Sequence, residues 1–292
     1  MIDAPTEKIF LNDSLVNSDA ARISAHDAGL LHGVGLFETL RAYQRHVFCL
    51  DHHLDRLFDS AQSLGIAITQ DRAFIATAIA DLLAANGLND ARIRLTLTGG
   101  PLLHNREDDH APTSTLIVTA APIQPYPDAY YRQGMTVVIT AYKQNPDDPA
   151  TGHKTLNYLP RLLALQDAQK KQAGEALWFT TANRLAEGCI SNVFIVHGEK
   201  LLTPPLDTPV LPGIARRLTL DLAKKNHIDH EERPLVIKDL LNASEVFLTN
   251  SIMELMPVCR IERHRVGNEK PGPVYQKLHR LYKDAVQQSL KP

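Results

Sequence analysis

The sequence predicts a two-domain chain of mixed α+β and α/β class, and three observations carry that prediction. Its 292 residues are enough to close two substantial cores. An α+β succession of strands and helices runs to about residue 121, and a second succession starts at residue 135. Between them Pro122, Pro125 and Pro127 interrupt any regular element. The expected layout is an N-terminal α+β domain over 1–121, an interdomain linker over 122–134 and a larger C-terminal domain over 135–292. Strands are too many for one doubly wound sheet, and neither GxGxxG nor GxxxxGKS occurs, so Rossmann and P-loop readings fail.

Taken in order, Lys8–Leu11 alternates and ends at the turn residues Asn12-Asp13. Leu36–Tyr43 and His46–Cys49 read as a hairpin turning near Gln44-Arg45. Leu54, Leu57, Phe58, Ala61 and Leu64 fall at helical spacing from about Asp51 and stop at Gly65. A second helix spans Asp71 to Asn86, ended by Gly87. Ala91–Leu97 and Ser114–Ala120 read as strands separated by a polar loop. After the prolines come a strand at Met135–Ala141, a loop with Pro146 and Pro149, and a helix over Tyr158–Ala173, with Pro160 tolerated in its first turn. Glu175–Thr181, Asn192–Val196 and Lys200–Thr203 read as strands, the last two joined at Gly198-Glu199. A helix over Gly213–Asn226, a strand at Glu245–Thr249 and an amphipathic helix near Val274–Gln288 complete the chain.

Composition narrows the function classes. Apolar residues make up 44% and charged residues 22%, ordinary for a globular protein. A net charge of −2 gives no electrostatic reason for a nucleic-acid or anionic membrane partner. No apolar run approaches membrane-spanning length, and the first residues lack a basic-then-apolar signal pattern, so a cytoplasmic protein is expected. Cys49, Cys189 and Cys259 have no CxxC spacing and read as reduced thiols. The thirteen histidines show no HExxH arrangement, so no metal site is expected.

The chemistry concentrates in Glu187-Gly188-Cys189-Ile190-Ser191-Asn192-Val193-Phe194, followed by Leu201-Leu202-Thr203 and Leu211-Pro212-Gly213-Ile214-Ala215-Arg216. This is an acid beside small residues, a hairpin, and a glycine-opened helix whose free N–H groups suit a phosphate. Lys154 stands upstream in Gly152-His153-Lys154-Thr155-Leu156-Asn157-Tyr158. From the residues alone, Lys154 reads as a solvated lysine and Glu187 as an exposed loop acid. Together these segments resemble the fold-type IV (class IV) aminotransferase family of pyridoxal-phosphate enzymes. That family holds branched-chain aminotransferases, D-amino acid aminotransferases and aminodeoxychorismate lyases.

The resemblance covers nearly the whole chain. It implies a D-amino acid aminotransferase-like fold whose C-terminal, cofactor-binding domain has a β-barrel-like core, and a homodimer acting on a small-molecule amine. It makes Lys154 the lysine that carries pyridoxal 5'-phosphate and Glu187 the partner of the pyridine nitrogen. Phosphate contacts fall on Arg56, on Ile214 and Ala215 at the helix start, and on Asn250 and Ser251. Ala215 departs from the commoner threonine and keeps only its N–H. Tyr158 matches an aromatic near the cofactor's phenolic oxygen. Phe37, Thr39 and Arg94 match substrate positions, with Arg94 reaching a carboxylate and sharing a strand face with Arg92. Glycine is usual at the position of Thr39 in the branched-chain enzymes, whereas the lyases are threonine-like there. D-amino acid aminotransferases carry an arginine where Gly99 stands. Val34–Thr39, Ala186–Phe194 and Leu248–Pro257 look most like the lyase subgroup, which converts 4-amino-4-deoxychorismate to 4-aminobenzoate and pyruvate toward folate. The alternative is transamination of branched-chain L-amino acids or D-amino acids on the same cofactor.

Overall fold

The computed structural model describes residues 7–102 and 114–291, and its elements divide between two units. The first is Met1–Gln124 with His153–Asn157, and the second is Pro125–Gly152 with Tyr158–Pro292. The polar loop expected between Leu97 and Ser114 lies, over 103–113, outside the described residues.

In the first unit β1 (Lys8–Leu11), β2 (Ser14–Asn17), α1 (Ala28–His32), β3 (Gly35–Tyr43), β4 (His46–Val47), α2 (Leu50–Leu64), α3 (Arg72–Ala85), β5 (Ala91–Thr98) and β6 (Thr115–Pro122) follow in order. The strands form one antiparallel sheet, β2-β1-β6-β5-β3-β4. Alternation sorts its residues. Leu36, Leu40, Ile93, Leu95, Leu116 and Val118 are buried in a core with Leu54, Leu57 and Ala61 of α2 and Ile75, Ile79 and Leu82 of α3. The opposite face carries Phe37, Thr39, Arg41 and Tyr43 of β3 beside Arg92, Arg94 and Thr96 of β5. The 3.6-residue period predicted α2 for this reason: its apolar stripe has the sheet to cover. Gly65 ends the helix in the left-handed conformation, at φ 66°. Asp71 starts α3 by accepting the Phe74 N–H at 2.7 Å.

Residues 153–157 belong with this sheet rather than with the C-terminal residues that flank them. The Phe37 N–H donates to the Lys154 carbonyl and the Leu156 N–H to the Gly35 carbonyl, both at 2.9 Å. Beyond the reach of the short β4, the edge of β3 thus takes up a distant segment, satisfying backbone groups that an open edge leaves unpaired.

The second unit contains α4 (Asp128–Gln133), β7 (Met135–Gln144), α5 (Leu159–Lys170), β8 (Glu175–Thr180), β9 (Leu185–Gly188), β10 (Asn192–His197), β11 (Lys200–Thr203), α6 (Ile214–Lys225), β12 (His230–Glu232), α7 (Ile237–Leu241), β13 (Glu245–Asn250), β14 (Glu254–Ile261), β15 (His264–Arg265) and α8 (Pro273–Ser289). α4 occupies the stretch read as linker, starting directly after Pro127. The sheet order is β12-β11-β10-β13-β14-β7-β8-β9, with β15 on β14. Its β7–β8 and β7–β14 pairs are parallel and β10–β13–β14 antiparallel. The turn that leads from β9 into β10 is closed by the Gly188 N–H to Ser191 carbonyl bond of 2.7 Å. The sheet curls around a barrel-like core filled by Val137, Leu177, Phe179, Val193, Ile195, Leu248 and Met256. Among the described residues no helix is long and apolar enough to cross a membrane, and no cluster of histidine, cysteine and acid could hold a metal.

Candidate active site

In the first unit the candidate residues surround Phe37. The Lys154 Nζ lies 4.5 Å from the centre of the Phe37 ring, and the Arg94 guanidinium carbon lies 3.9 Å from it. Both cations rest on one buried aromatic ring, which fixes their approach without neutralising them. Thr39 pairs directly with Arg94 across β3 and β5, so hydroxyl and guanidinium share one rung of the same face. Arg94 and Arg92 are exposed within the chain and do not face inward, because the opposite face takes the core.

Arg56, on α2, is buried, and Glu38 of β3 is a partner. Its Nε and Nη2 donate to Glu38 at 2.8 and 2.6 Å, a fork-to-fork pair beneath the sheet. His53, one helical turn earlier, donates from Nδ1 to the same carboxylate at 2.7 Å. Burial would raise the Glu38 carboxyl, but the adjacent Arg56 charge and the bonds from His53 and Arg56 hold it down at about 2. Burial lowers the His53 imidazole, so it serves as a neutral donor. Arg56 therefore enters any phosphate-binding role already oriented by Glu38.

The second unit gathers a donor network around Glu187, which lies within β9 and not in a turn. Its Oε1 accepts from Arg161 Nη2 at 2.5 Å, and its Oε2 accepts from the Leu211 N–H at 2.9 Å and Asn192 Nδ2 at 3.3 Å. Three donors reach its two oxygens and leave lone-pair capacity for a fourth, which suits a pyridinium N–H. Arg161 also donates to the Gly188 carbonyl at 2.9 Å, and the Tyr158 hydroxyl donates to the Cys189 carbonyl at 2.9 Å. Burial pushes the Tyr158 phenol up, and the Glu187 and Glu175 carboxylates push the same way, so it stays protonated as a donor.

The turn that receives these bonds is anchored by Glu175 of β8. Its Oε1 accepts from the Ile190 N–H at 2.9 Å and from Ser191 Oγ at 2.8 Å. A Cβ on Gly188 would fall 2.3 Å from Ser191 Oγ and 2.4 Å from Glu175 Oε1, so only glycine admits this packing. Sequence reading missed both Arg161 and Glu175. Neither stands in a local motif, and only the curl of the sheet brings them to Glu187 and its turn.

For the phosphate, α6 starts at Ile214 with Gly213 as its cap and no capping side chain, so the N–H groups of Ile214 and Ala215 face outward from the first turn. A Cβ on Gly213 would fall 1.9 Å from Asn192 Oδ1; the bare glycine lets the helix start close on the residue that also holds Glu187. The Asn250 carboxamide accepts from the Ile252 and Met253 N–H groups and donates to the Ile190 carbonyl. Asn250 thus shapes the loop that presents Ser251. Two further signature residues are structural: Thr203 Oγ1 donates to the Val193 carbonyl, and Arg216 pairs with Glu232 and the Pro204 carbonyl. Taken unit by unit, the groups fit parts of pyridoxal phosphate: in the first an amine over a ring, in the second an acid with spare acceptor capacity and an uncapped helix start.

The comparisons agree with this chemistry. A provisionally named branched-chain-amino-acid aminotransferase of Methanocaldococcus jannaschii is 35% identical over 277 residues, covering 95% of this chain and 96% of that one. The aminodeoxychorismate lyase of Bacillus subtilis is 29% identical over 280 residues, covering 95% and 94%. The crystal structure of an Escherichia coli branched-chain amino acid aminotransferase superposes with a TM-score of 0.89 at 27% identity, covering 96% and 94%. The family description for amino-transferase class IV matches residues 35–261, a span that runs from β3 to the end of β14, and the chain belongs to that family.

Proposed function

We propose that the chain is a pyridoxal-phosphate lyase that converts 4-amino-4-deoxychorismate to 4-aminobenzoate and pyruvate. Membership of the family gives the chain a pyridoxal 5'-phosphate cofactor, whose ring accepts the electron pair left when a bond at the amine-bearing carbon breaks. Lys154 would hold it through Nζ, and the same amine, once free, would take the proton from the amine-bearing carbon. Glu187, held in place by Arg161, Asn192 and the Leu211 N–H, would keep the pyridine nitrogen protonated. Ile214 and Ala215 offer backbone donors to the phosphate, with Ser251 and the Glu38-oriented Arg56.

The single observation that carries the lyase reading is the Thr39–Arg94 rung on the face that also holds Phe37 and Lys154. Arg94 holds a carboxylate of the substrate. The Thr39 hydroxyl donates a proton to the ether oxygen as the bond between the substrate's ring carbon and that oxygen breaks, so that the oxygen leaves with the enolpyruvyl group. The ring becomes aromatic, the released enol tautomerises to pyruvate, and no keto acid is consumed. The B. subtilis relative supports this reading, and the M. jannaschii relative supports transamination. The discriminating experiment gives purified holoenzyme 4-amino-4-deoxychorismate alone, then L-leucine or D-alanine with 2-oxoglutarate. Pyruvate from the first incubation, with no pyridoxamine form in the second, is expected. Amino transfer without pyruvate release overturns the lyase assignment in favour of the aminotransferase.

A further inference from the structure

The segment that carries Lys154 touches the first unit on two sides. Thr155 bridges Leu36 in an antiparallel register, and the bonds from the Phe37 and Leu156 N–H groups fix that register. Side chains along such an edge alternate between the two faces of the sheet. Lys154 stands with Phe37, its Nζ over the ring, and His153 turns to the other face, where Leu36 and Glu38 lie. Helix α2 covers that face with three buried polar residues, His53, Arg56 and Ser60, spaced three and four apart on one side of the helix. His53 and Arg56 meet Glu38. Ser60 meets His153, whose Nδ1 lies 3.0 Å from the Ser60 Oγ. Opening this contact would leave a buried hydroxyl without its partner, which is costly.

We propose that His153, through its bond to Ser60, is a positioning residue for Lys154: it locks the 153–157 segment on the edge of β3 and so fixes the point from which the reacting amine projects. The segment is entered from Gly152, at φ 86°, and the Phe37 and Leu156 bonds tie it to β3 by backbone alone. Backbone bonds in one plane resist sliding along the edge better than they resist twisting about the segment's own axis. A side-chain anchor on the face opposite Lys154 opposes that twist, which would swing the lysine side chain with it. Holding the lysine Cα still raises the effective concentration of its amine at the carbon it attacks. This inference rests on the reading of Lys154 as the reacting lysine; it holds for elimination and for amino transfer alike.

The test lets methylamine compete with Lys154 for the aldehyde carbon of the cofactor in the holoenzyme. Borohydride then traps the mixture, and mass spectrometry gives the fraction of pyridoxyl label left on the lysine. His153→Leu and Ser60→Ala are each expected to lower the methylamine concentration that displaces half the label by about fivefold, the equivalent of one ordinary hydrogen bond. The double variant is expected to match the single ones, because both remove the same contact. His153→Asn, whose carboxamide reaches the place of Nδ1, is expected to stay near the wild type. Backbone hydrogen exchange over 153–157 is expected to quicken in His153→Leu. A half-displacement concentration unchanged in His153→Leu and Ser60→Ala, even with a lowered unfolding midpoint, overturns the proposal, and so does unchanged exchange over the segment. Label on a different lysine in the wild type, with exchange over 153–157 still quickened by His153→Leu, refutes the reading of Lys154 and leaves the anchor standing.

Discussion

Glu175→Gln isolates a buried titration at the turn beneath the candidate site. Burial pushes the Glu175 carboxyl up from 4.5 to about 7, against the bonds from the Ile190 N–H and Ser191 hydroxyl that favour its ionised form. A carboxyl raised on folding contributes stability that is complete below the unfolded value and disappears as pH rises through the folded one. The interval from 4.5 to 7 corresponds to about 3 kcal/mol. Glutamine keeps an acceptor for Ile190 and Ser191 but does not titrate. Its absolute effect includes a buried amide without a partner, since Glu175 Oε2 has none among the described residues, so the pH dependence is the quantity to compare. In urea unfolding of the two proteins side by side, the wild type should lose about 3 kcal/mol relative to the variant between pH 4.5 and 7 and then run parallel to it. All other groups titrate in both proteins and cancel. Parallel curves throughout would refute the reasoning, because Glu175 would then ionise as an ordinary carboxyl.

Three further outcomes follow from the geometry. Glu38→Gln strips the counter-charge from buried Arg56 and should cost roughly 3 to 5 kcal/mol at neutral pH, measured by denaturant unfolding. Because the Glu38 carboxyl is depressed to about 2, its contribution is present above 4.5 and fades as pH falls through 2; the variant should lack that acid limb. Gly188→Ala should destabilise by about 1–3 kcal/mol through the clash with Ser191 and Glu175, and crystallography of the variant should show the turn displaced. Glu187→Gln leaves Arg161 without its charge partner and should cost about 2 kcal/mol in stability. The same variant should retain cofactor yet lose turnover by about two orders of magnitude; unchanged turnover would remove Glu187 from the chemistry.

Local patterns were legible where a short window contains the cause. The stripe Leu54, Leu57, Ala61 and the stop at Gly65 delimit α2 to within a residue at its start, and Gly198, at φ 63°, turns β10 into β11 as its sequence demands. Lys154 and Glu187 stood out because their flanking residues form a recognisable order. What escaped depends on closure between distant segments. β9 is only Leu-Ala-Glu-Gly, too short and too polar to read as a strand, and it forms because β8 and the Ser191 carbonyl offer it partners. Arg161 meets Glu187 across 26 residues and Glu175 meets Ser191 across 16, distances at which no period in the sequence reports contact. Residues 153–157 joined the first unit because the edge of β3 was open, a property of the sheet and not of the segment. Glu38 sits on an otherwise apolar face, where the buried Arg56 meets it.

The central assignment is that Lys154 bears the cofactor. Reducing the purified holoenzyme with borohydride, digesting it and mapping the pyridoxyl group by mass spectrometry tests that assignment directly. The label should sit on the peptide containing Gly152-His153-Lys154-Thr155, and Lys154→Ala should leave no labelled peptide and no visible absorbance from bound cofactor. A label on a different lysine, or full labelling that survives Lys154→Ala, would contradict the account.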